Sequence, residues 1–289
     1  MPPGAARPYV YPMDEAIRSL LPWKGAIVLG WLVLIFAAER LRPAVSEPRA
    51  PAGSEVRGGP WRLARNGGLW LANVGLTPLI VVPVSFWAAE HSLAWRPDGL
   101  RGPVGLVLDL IVLDFLIYWW HRANHVVPFL WRFHEVHHLD RFLDSTTALR
   151  FHYGELLLSA AARAVVIILL DIPFTSIIVF ETVIFFGTIF HHSNLALPPA
   201  LERGLSRVII TPAIHWVHHH ATQRDTDSNY GTIFSFWDPI FGSRSPTPRT
   251  PEMTIGVQDR AERGFTHLFL RPFLSARRRL GPAAGAAAR

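Results

Sequence analysis

Five apolar stretches set what this chain can fold into. A run of about 20 apolar residues crosses a bilayer as a helix, because only a helix or a closed barrel satisfies its own backbone in lipid. GAIVLGWLVLIFAA (25–38) is the shortest, with Lys24 and Glu39 placed to snorkel at its ends. GLWLANVGLTPLIVVPVSFWAA (68–89) is long enough to cross despite Pro78 and Pro83. GPVGLVLDLIVLDFLIYWW (102–120) carries Asp109 and Asp114, LLLSAAARAVVIILL (156–170) carries Arg163, and IPFTSIIVFETVIFFGTIF (172–190) carries Glu181. The expected fold class is therefore all-α: an integral-membrane helix bundle of about four or five spans.

The last two stretches are separated only by Asp171 and the Ile172-Pro173 turn, which predicts a tight antiparallel hairpin. Arg163 lies nine residues before Ile172 and Glu181 nine after it, so both charges fall at similar depth. A lone charge at mid-membrane costs roughly 2.5–3.5 kcal/mol on insertion scales, and the spacing predicts an Arg163–Glu181 ion pair. The alternative is that each faces a water-filled cavity.

Orientation follows from the arginines. The loop between the first two stretches holds Arg40, Arg42, Arg49, Arg57, Arg62 and Arg65 against three glutamates, which predicts a cytoplasmic loop. Counting spans forward puts 121–155 and everything after 190 on that side too. Eleven Trp and 18 Phe suit interfacial anchoring. The formal charge of +6 comes with no basic helix, RNP-like or zinc-finger pattern, so nucleic acid is not an expected partner. The chain has no cysteine, which excludes disulfides, thiolate nucleophiles and an internal iron–sulfur cluster. The start, MPPGAARPYVYPMDEAIRSL, with its acids and prolines, is not expected to be a cleavable signal peptide. Residues 43–60 read as a linker or surface loop, and 275–289 as a basic end near anionic lipid.

Histidines gather at the ends of these spans. HRANHVVPFLWRFHEVHH (121–138) holds five. His121 and His125 share a helix face at i, i+4; His134, His137 and His138 do so at i, i+3, i+4. AIHWVHHHA repeats the second spacing with His215, His218 and His219. Three or four ligands hold one transition metal, so eight imidazoles on one membrane side suggest two metals. FHHSN offers a ninth ligand, with His192 preferred over His191, and His152 is a supporting group or an interfacial histidine bonded to backbone. His91 and His267 read as surface residues. Asp227 in DSNYG either accepts an N–H from a ligand histidine or belongs to a helix-ending turn, while Trp237, Asp238 and Phe241 are expected to pack the cap.

HEVHH also satisfies HExxH, the zinc-peptidase pattern with His134 and His138 as ligands and Glu135 as general base. That alternative leaves His121, His125, His137 and the downstream triplet without a role, and HWVHH lacks the glutamate.

The series HRANH, HEVHH, FHHSN and HWVHH, with STTALRFHYGE (145–155) and TDSNYGTIFSFWDPIFG (226–242) around it, resembles the integral-membrane fatty acid hydroxylase / sterol desaturase superfamily. The resemblance covers roughly residues 105–243, and the histidine spacing is especially similar to its ether-lipid-cleaving branch, the alkylglycerol monooxygenases. It implies a non-haem di-iron oxygenase that hydroxylates or desaturates a lipid C–H bond with O2. It assigns two irons to His121, His125, His134, His137, His138, His215, His218 and His219, with His192 provisional. Dioxygen activation needs a metal that changes oxidation state, which zinc does not. With no cysteine and no glycine-rich dinucleotide fingerprint, electrons are expected from a separate reductase or small carrier. Arg132, Arg141 and Arg150 form its expected docking patch, or a site for phospholipid headgroups. The expected organisation is an N-terminal segment (1–100) with one or two membrane helices and a cytoplasmic linker, a histidine-rich catalytic domain (101–245), and a cytoplasmic basic tail (246–289).

Overall fold

The computed structural model describes residues 12–47, 59–100, 102–260 and 262–274. The start of the chain, most of the expected linker with Arg49 and Arg57, and the basic end at 275–289 lie outside the described residues.

The described residues are helical, with isolated β-bridges and no strand. α1 (Pro12–Leu20) runs through a 3-10 turn into α2 (Lys24–Leu41). α3 (Pro60–Leu76) passes through a π-type turn (Thr77–Val81) into α4 (Val82–Glu90). α5 (Gly102–Val126) and α6 (Pro128–His138) follow, then a 3-10 turn (Ser145–Leu149), α7 (Tyr153–Leu170) and α8 (Phe174–His192). The short helices α9 (Pro199–Leu205), α10 (Pro212–His218), α11 (Gln223–Thr226), α12 (Trp237–Ile240) and α13 (Phe265–Leu270) build the cap.

Five helical stretches are long and apolar enough to cross a membrane: Glu15–Leu41, Pro60–Glu90, Gly102–Val126, Tyr153–Leu170 and Phe174–His192. The first is longer than its apolar run suggested, because α1 continues it. At ~1.5 Å per residue its 27 residues exceed the ~30 Å hydrocarbon core. Pro78 lacks an N–H, and the wider π-type turn around it absorbs that break without ending the span. Leu29, Val33, Leu34, Leu71, Leu79, Val104 and Val107 are exposed along these helices, as a lipid-facing surface requires.

The α7–α8 connection departs from the expected tight hairpin. Asp171, in the left-handed conformation (φ 52°), turns the chain, and its carboxylate accepts from Ser92 Oγ and from Arg96 N at 3.1 Å. Beyond the turn α7 packs mainly along α4, whereas α8 packs along α2 and α10. The Arg163–Glu181 pair is present at 3.7 Å, but Lys24 sits closer to Glu181, at 2.7 Å. In α5, Asp109 pairs with Arg96 and accepts from Ser176, while Asp114 accepts from Ile233 N, Phe234 N and Trp237 Nε1. Both aspartates thus join elements.

Arginines, Arg62 and Arg65 buried and Arg40 exposed, tie the cap to the span ends. Arg62 donates to Asp140 at 2.7 and 2.9 Å, to Asp144 at 2.9 and 3.1 Å, and to Phe142 O and Thr147 Oγ1. Arg40 bonds Glu39 and Asp144, and Arg65 bonds Glu262. Three arginines of the supposed loop charge therefore face carboxylates inside the fold. Residues 246–260 and 262–274 also pack on the bundle: Ile255 bridges His220, Glu262 is buried, and Leu268 packs on Leu69 and Val136.

Candidate metal centre

Two helices carry most of the centre, and α-helical geometry decides how they share it. Successive residues project about 100° apart, so positions 134 and 138 fall ~40° apart while 137 points ~100° from 138. α6 accordingly sends His134 and His138 one way and His137 the other. α10 mirrors this, with His218 on one side and His215 and His219 on the other. α5 continues past its apolar run to add His121 and His125, and α8 ends on His192.

The result is two groups. His121, His125, His134, His138 and His218 form one; His137, His192, His215 and His219 form the other. Within each group the candidate ligand atoms lie within 4.8 Å of one another. The groups adjoin: His138 stacks on His219 at 4.3 Å between ring centroids, and His215 meets His218 at 5.0 Å. All nine histidines singled out in the sequence are thus brought together.

Hydrogen bonds at the outer ring nitrogens fix which nitrogen faces inward. A carbonyl oxygen only accepts, so an Nδ1 beside one carries the proton and leaves Nε2 as a lone pair. His121 Nδ1 donates to Tyr230 O at 2.8 Å, His192 Nδ1 to Thr188 O at 2.7 Å, His218 Nδ1 to Ser228 O at 2.6 Å and His137 Nδ1 to Arg150 O at 3.3 Å. His134 Nδ1 faces the carboxylate of Glu155 at 2.8 Å. His137 Nε2 and His192 Nε2 therefore aim lone pairs at each other across 2.9 Å. Two such lone pairs repel unless they share an electron-pair acceptor, as metal ligands do. His218 Nε2 is buried with no hydrogen-bond partner among the described residues. Burial, and after it the positive charge that neighbouring histidines would carry, pushes His137, His138, His215, His218 and His219 well below the ordinary imidazole value. Neutral imidazoles are the form that binds metal. The donor set fits two transition-metal ions.

Other sequence candidates fall outside both groups. His191 packs on His215 and faces Thr232 O through Nδ1. His152 caps α7, accepting from Gly154 N and facing Phe269 O, which is the backbone-bonded alternative. His91 is exposed and His267 half-buried. Asp227 Oδ1 lies 3.5 Å from His125 Nδ1, while the neighbouring Asn229 adopts φ 51°, so the segment both approaches a histidine and turns the chain. Asp238 accepts from Tyr230 N and Gly231 N, and Phe241 stacks on Tyr118.

Glu135 does not take the zinc-peptidase role. Its carboxylate is held by Arg271 at 3.0 Å and Arg260 at 3.3 Å, and it is not among the residues lining the cavity beside the histidines. The expected basic docking patch also needs correction: Arg150 is 0 % exposed and bonds Val136 O, Asn66 and Glu262. Arg141 is exposed and Arg132 half-buried.

Sequence reasoning missed Glu155. It ends the stretch STTALRFHYGE, 21 residues along the chain from its partner His134. Gly154 lets it approach, since a Cβ there would stand 2.5 Å from the Phe133 ring. Glu155 and the histidines open onto a cavity of ≈ 170 Å³ between α5, α7 and α8, walled by Ile117, Trp120, Leu156 and Ile184 among others.

Comparison with known proteins matches residues 106–243 to the fatty acid hydroxylase family. The chain is 27% identical to ornithine lipid hydroxylase OlsE of Rhizobium tropici, over 88% of this chain and 76% of that protein. It is 32% identical to a cholesterol 25-hydroxylase-like protein of Danio rerio, over 55% of this chain and 62% of that protein. It is 31% identical to the Danio rerio alkylglycerol monooxygenase, over 48% of this chain but only 30% of that longer protein. No solved structure matches.

Proposed function

The chain belongs to the fatty acid hydroxylase family, and we propose that it is a membrane-bound lipid hydroxylase whose nine clustered histidines hold two irons. The observation that carries this reading is the pairing of two adjoining histidine groups with an apolar cavity between membrane-crossing helices.

Iron bound there would supply the redox chemistry of dioxygen activation, which zinc lacks. The balance is that of a monooxygenase: one oxygen atom enters a C–H bond and the other leaves as water, with two electrons and two protons. The protein's own part is positional. Outer hydrogen bonds hold each imidazole in one tautomer and orientation, and the carboxylate of Glu155 makes His134 a more basic ligand. Ile117, Trp120, Leu156 and Ile184 exclude water and seat an apolar chain beside the histidines.

The names of the relatives point to ornithine lipid, cholesterol and alkylglycerol as the range of substrates, so a lipid is the substrate class. A separate electron donor approaches the cap, where Arg141 and Arg42 are exposed. Those charges favour a cytoplasmic cap.

Lipid mass spectrometry of a host carrying the wild-type chain or His137→Ala tests the function. The wild type is expected to produce lipid species heavier by one oxygen, absent with His137→Ala. Identical lipid profiles from both would remove the reading.

A further inference from the structure

Arg163 is the anomaly of the cavity wall. It projects from the middle of α7, lines the cavity, and its side chain is only 14% exposed. A guanidinium carries five N–H donors, and one placed at membrane depth needs acceptors. Among the described residues Arg163 makes no hydrogen bond. Its contact with Glu181, at 3.7 Å, is beyond hydrogen-bond range, and its Nε is buried without a partner. Glu181 is engaged by Lys24 at 2.7 Å instead. Two cations thus share one carboxylate, and Arg163 is left with unused N–H donors on the wall of a cavity whose polar lining otherwise gathers at its histidine and Glu155 end.

The geometry points to Arg163 as the anchor for the anionic end of the substrate: a carboxylate or phosphate oxygen on the lipid chain. This rests on the hydroxylase reading and names the substrate class of that same site. Arg163 lies eight residues along α7 from Glu155, which touches His134, so anchor and metal centre stand ~12 Å apart along the helix. One negative charge on Arg163 balances the Lys24–Glu181–Arg163 set. The bound chain then runs back toward the histidines and presents a fixed position along its length. An uncharged chain lacks the anchor and slides. The distance from anion to oxidised carbon is thereby set by α7.

Binding without turnover separates this from the hydroxylase reading. Equilibrium dialysis of radiolabelled decanoate, decyl phosphate and decanol against the full chain in dodecyl maltoside, with a micelle-only control, measures the preference. The wild type is expected to bind one or both anions about tenfold more tightly than decanol, as a charge-assisted contact gives. The two anions together tell carboxylate from phosphate. Arg163→Gln is expected to abolish the preference and Arg163→Lys to keep part of it. Glu181→Gln is expected to widen it by removing the competing carboxylate. If Arg163→Gln does not fold, Glu181→Gln decides alone. A wild type with no anion preference, a preference unchanged in Arg163→Gln, or one unmoved by Glu181→Gln would overturn the anchor and leave a purely structural charge set. An anion preference that persists while O2 and a chemical reductant yield no oxygenated decanoate would uphold the anchor and remove the hydroxylase reading.

Discussion

Glu155 contributes through the ring it holds. Its Oε1 accepts from His134 Nδ1 at 2.8 Å and from Asn124 Nδ2 at 3.3 Å. A carboxylate behind an imidazole fixes the tautomer and raises ligand basicity, and losing such a partner costs about 10–100-fold in metal affinity. Glu155→Gln is nearly isosteric, so iron competition with a chelator should show a loss of that order while the fold persists. Unchanged retention of iron would mean that Glu155 does not support the centre. At this scale the histidines were legible in the sequence, because i, i+3, i+4 spacing survives any tertiary arrangement. Their division was not legible. His137 and His138 are neighbours in sequence yet serve different groups, since adjacent helix positions diverge by ~100°. Glu155 was hidden because its partner lies 21 residues away across an irregular connection.

At the scale of elements, the same kind of connection explains Arg62. It sits in the first turn of α3, where the sequence suggested a loop charge, and joins that span to the segment after α6. Removing one partner of a buried ion pair costs about 3–5 kcal/mol, so Arg62→Ala should unfold at markedly lower temperature in detergent. Acid should act on the same junction. Burial alone would raise the Asp140 carboxyl, but Arg62, aided by Arg150, holds it at about 2; Asp144 is likewise lowered by Arg62 against its own burial. Groups depressed in the folded state bind protons more readily when unfolded. Their stabilisation is complete above the ordinary carboxylate value near 3.8 and is lost as pH falls toward 2. Thermal unfolding followed from pH 5 to 2 should therefore show a falling midpoint in the wild type and a shallower fall in Arg62→Ala. Parallel slopes would contradict the assignment. The spans themselves were readable from apolar length. The partners of α7 and α8 were not, because a short turn fixes where two helices begin but not what they pack against.

For the whole molecule, five stretches are long and apolar enough to cross a membrane, two of them, α5 and α8, bring histidine-bearing ends to one cap, and α6 and α10 each serve both groups there. The cap closes over a cavity that opens between the spans, which joins a largely apolar space to a histidine-lined one. That union is the central claim, and metal stoichiometry tests it most directly. Protein purified in detergent from an iron-supplied host should contain two irons per chain by elemental analysis. His218→Ala, in the five-histidine group, and His215→Ala, in the four-histidine group, should each lose at least one of them. One iron per chain or none, or an iron content untouched by either substitution, would contradict it.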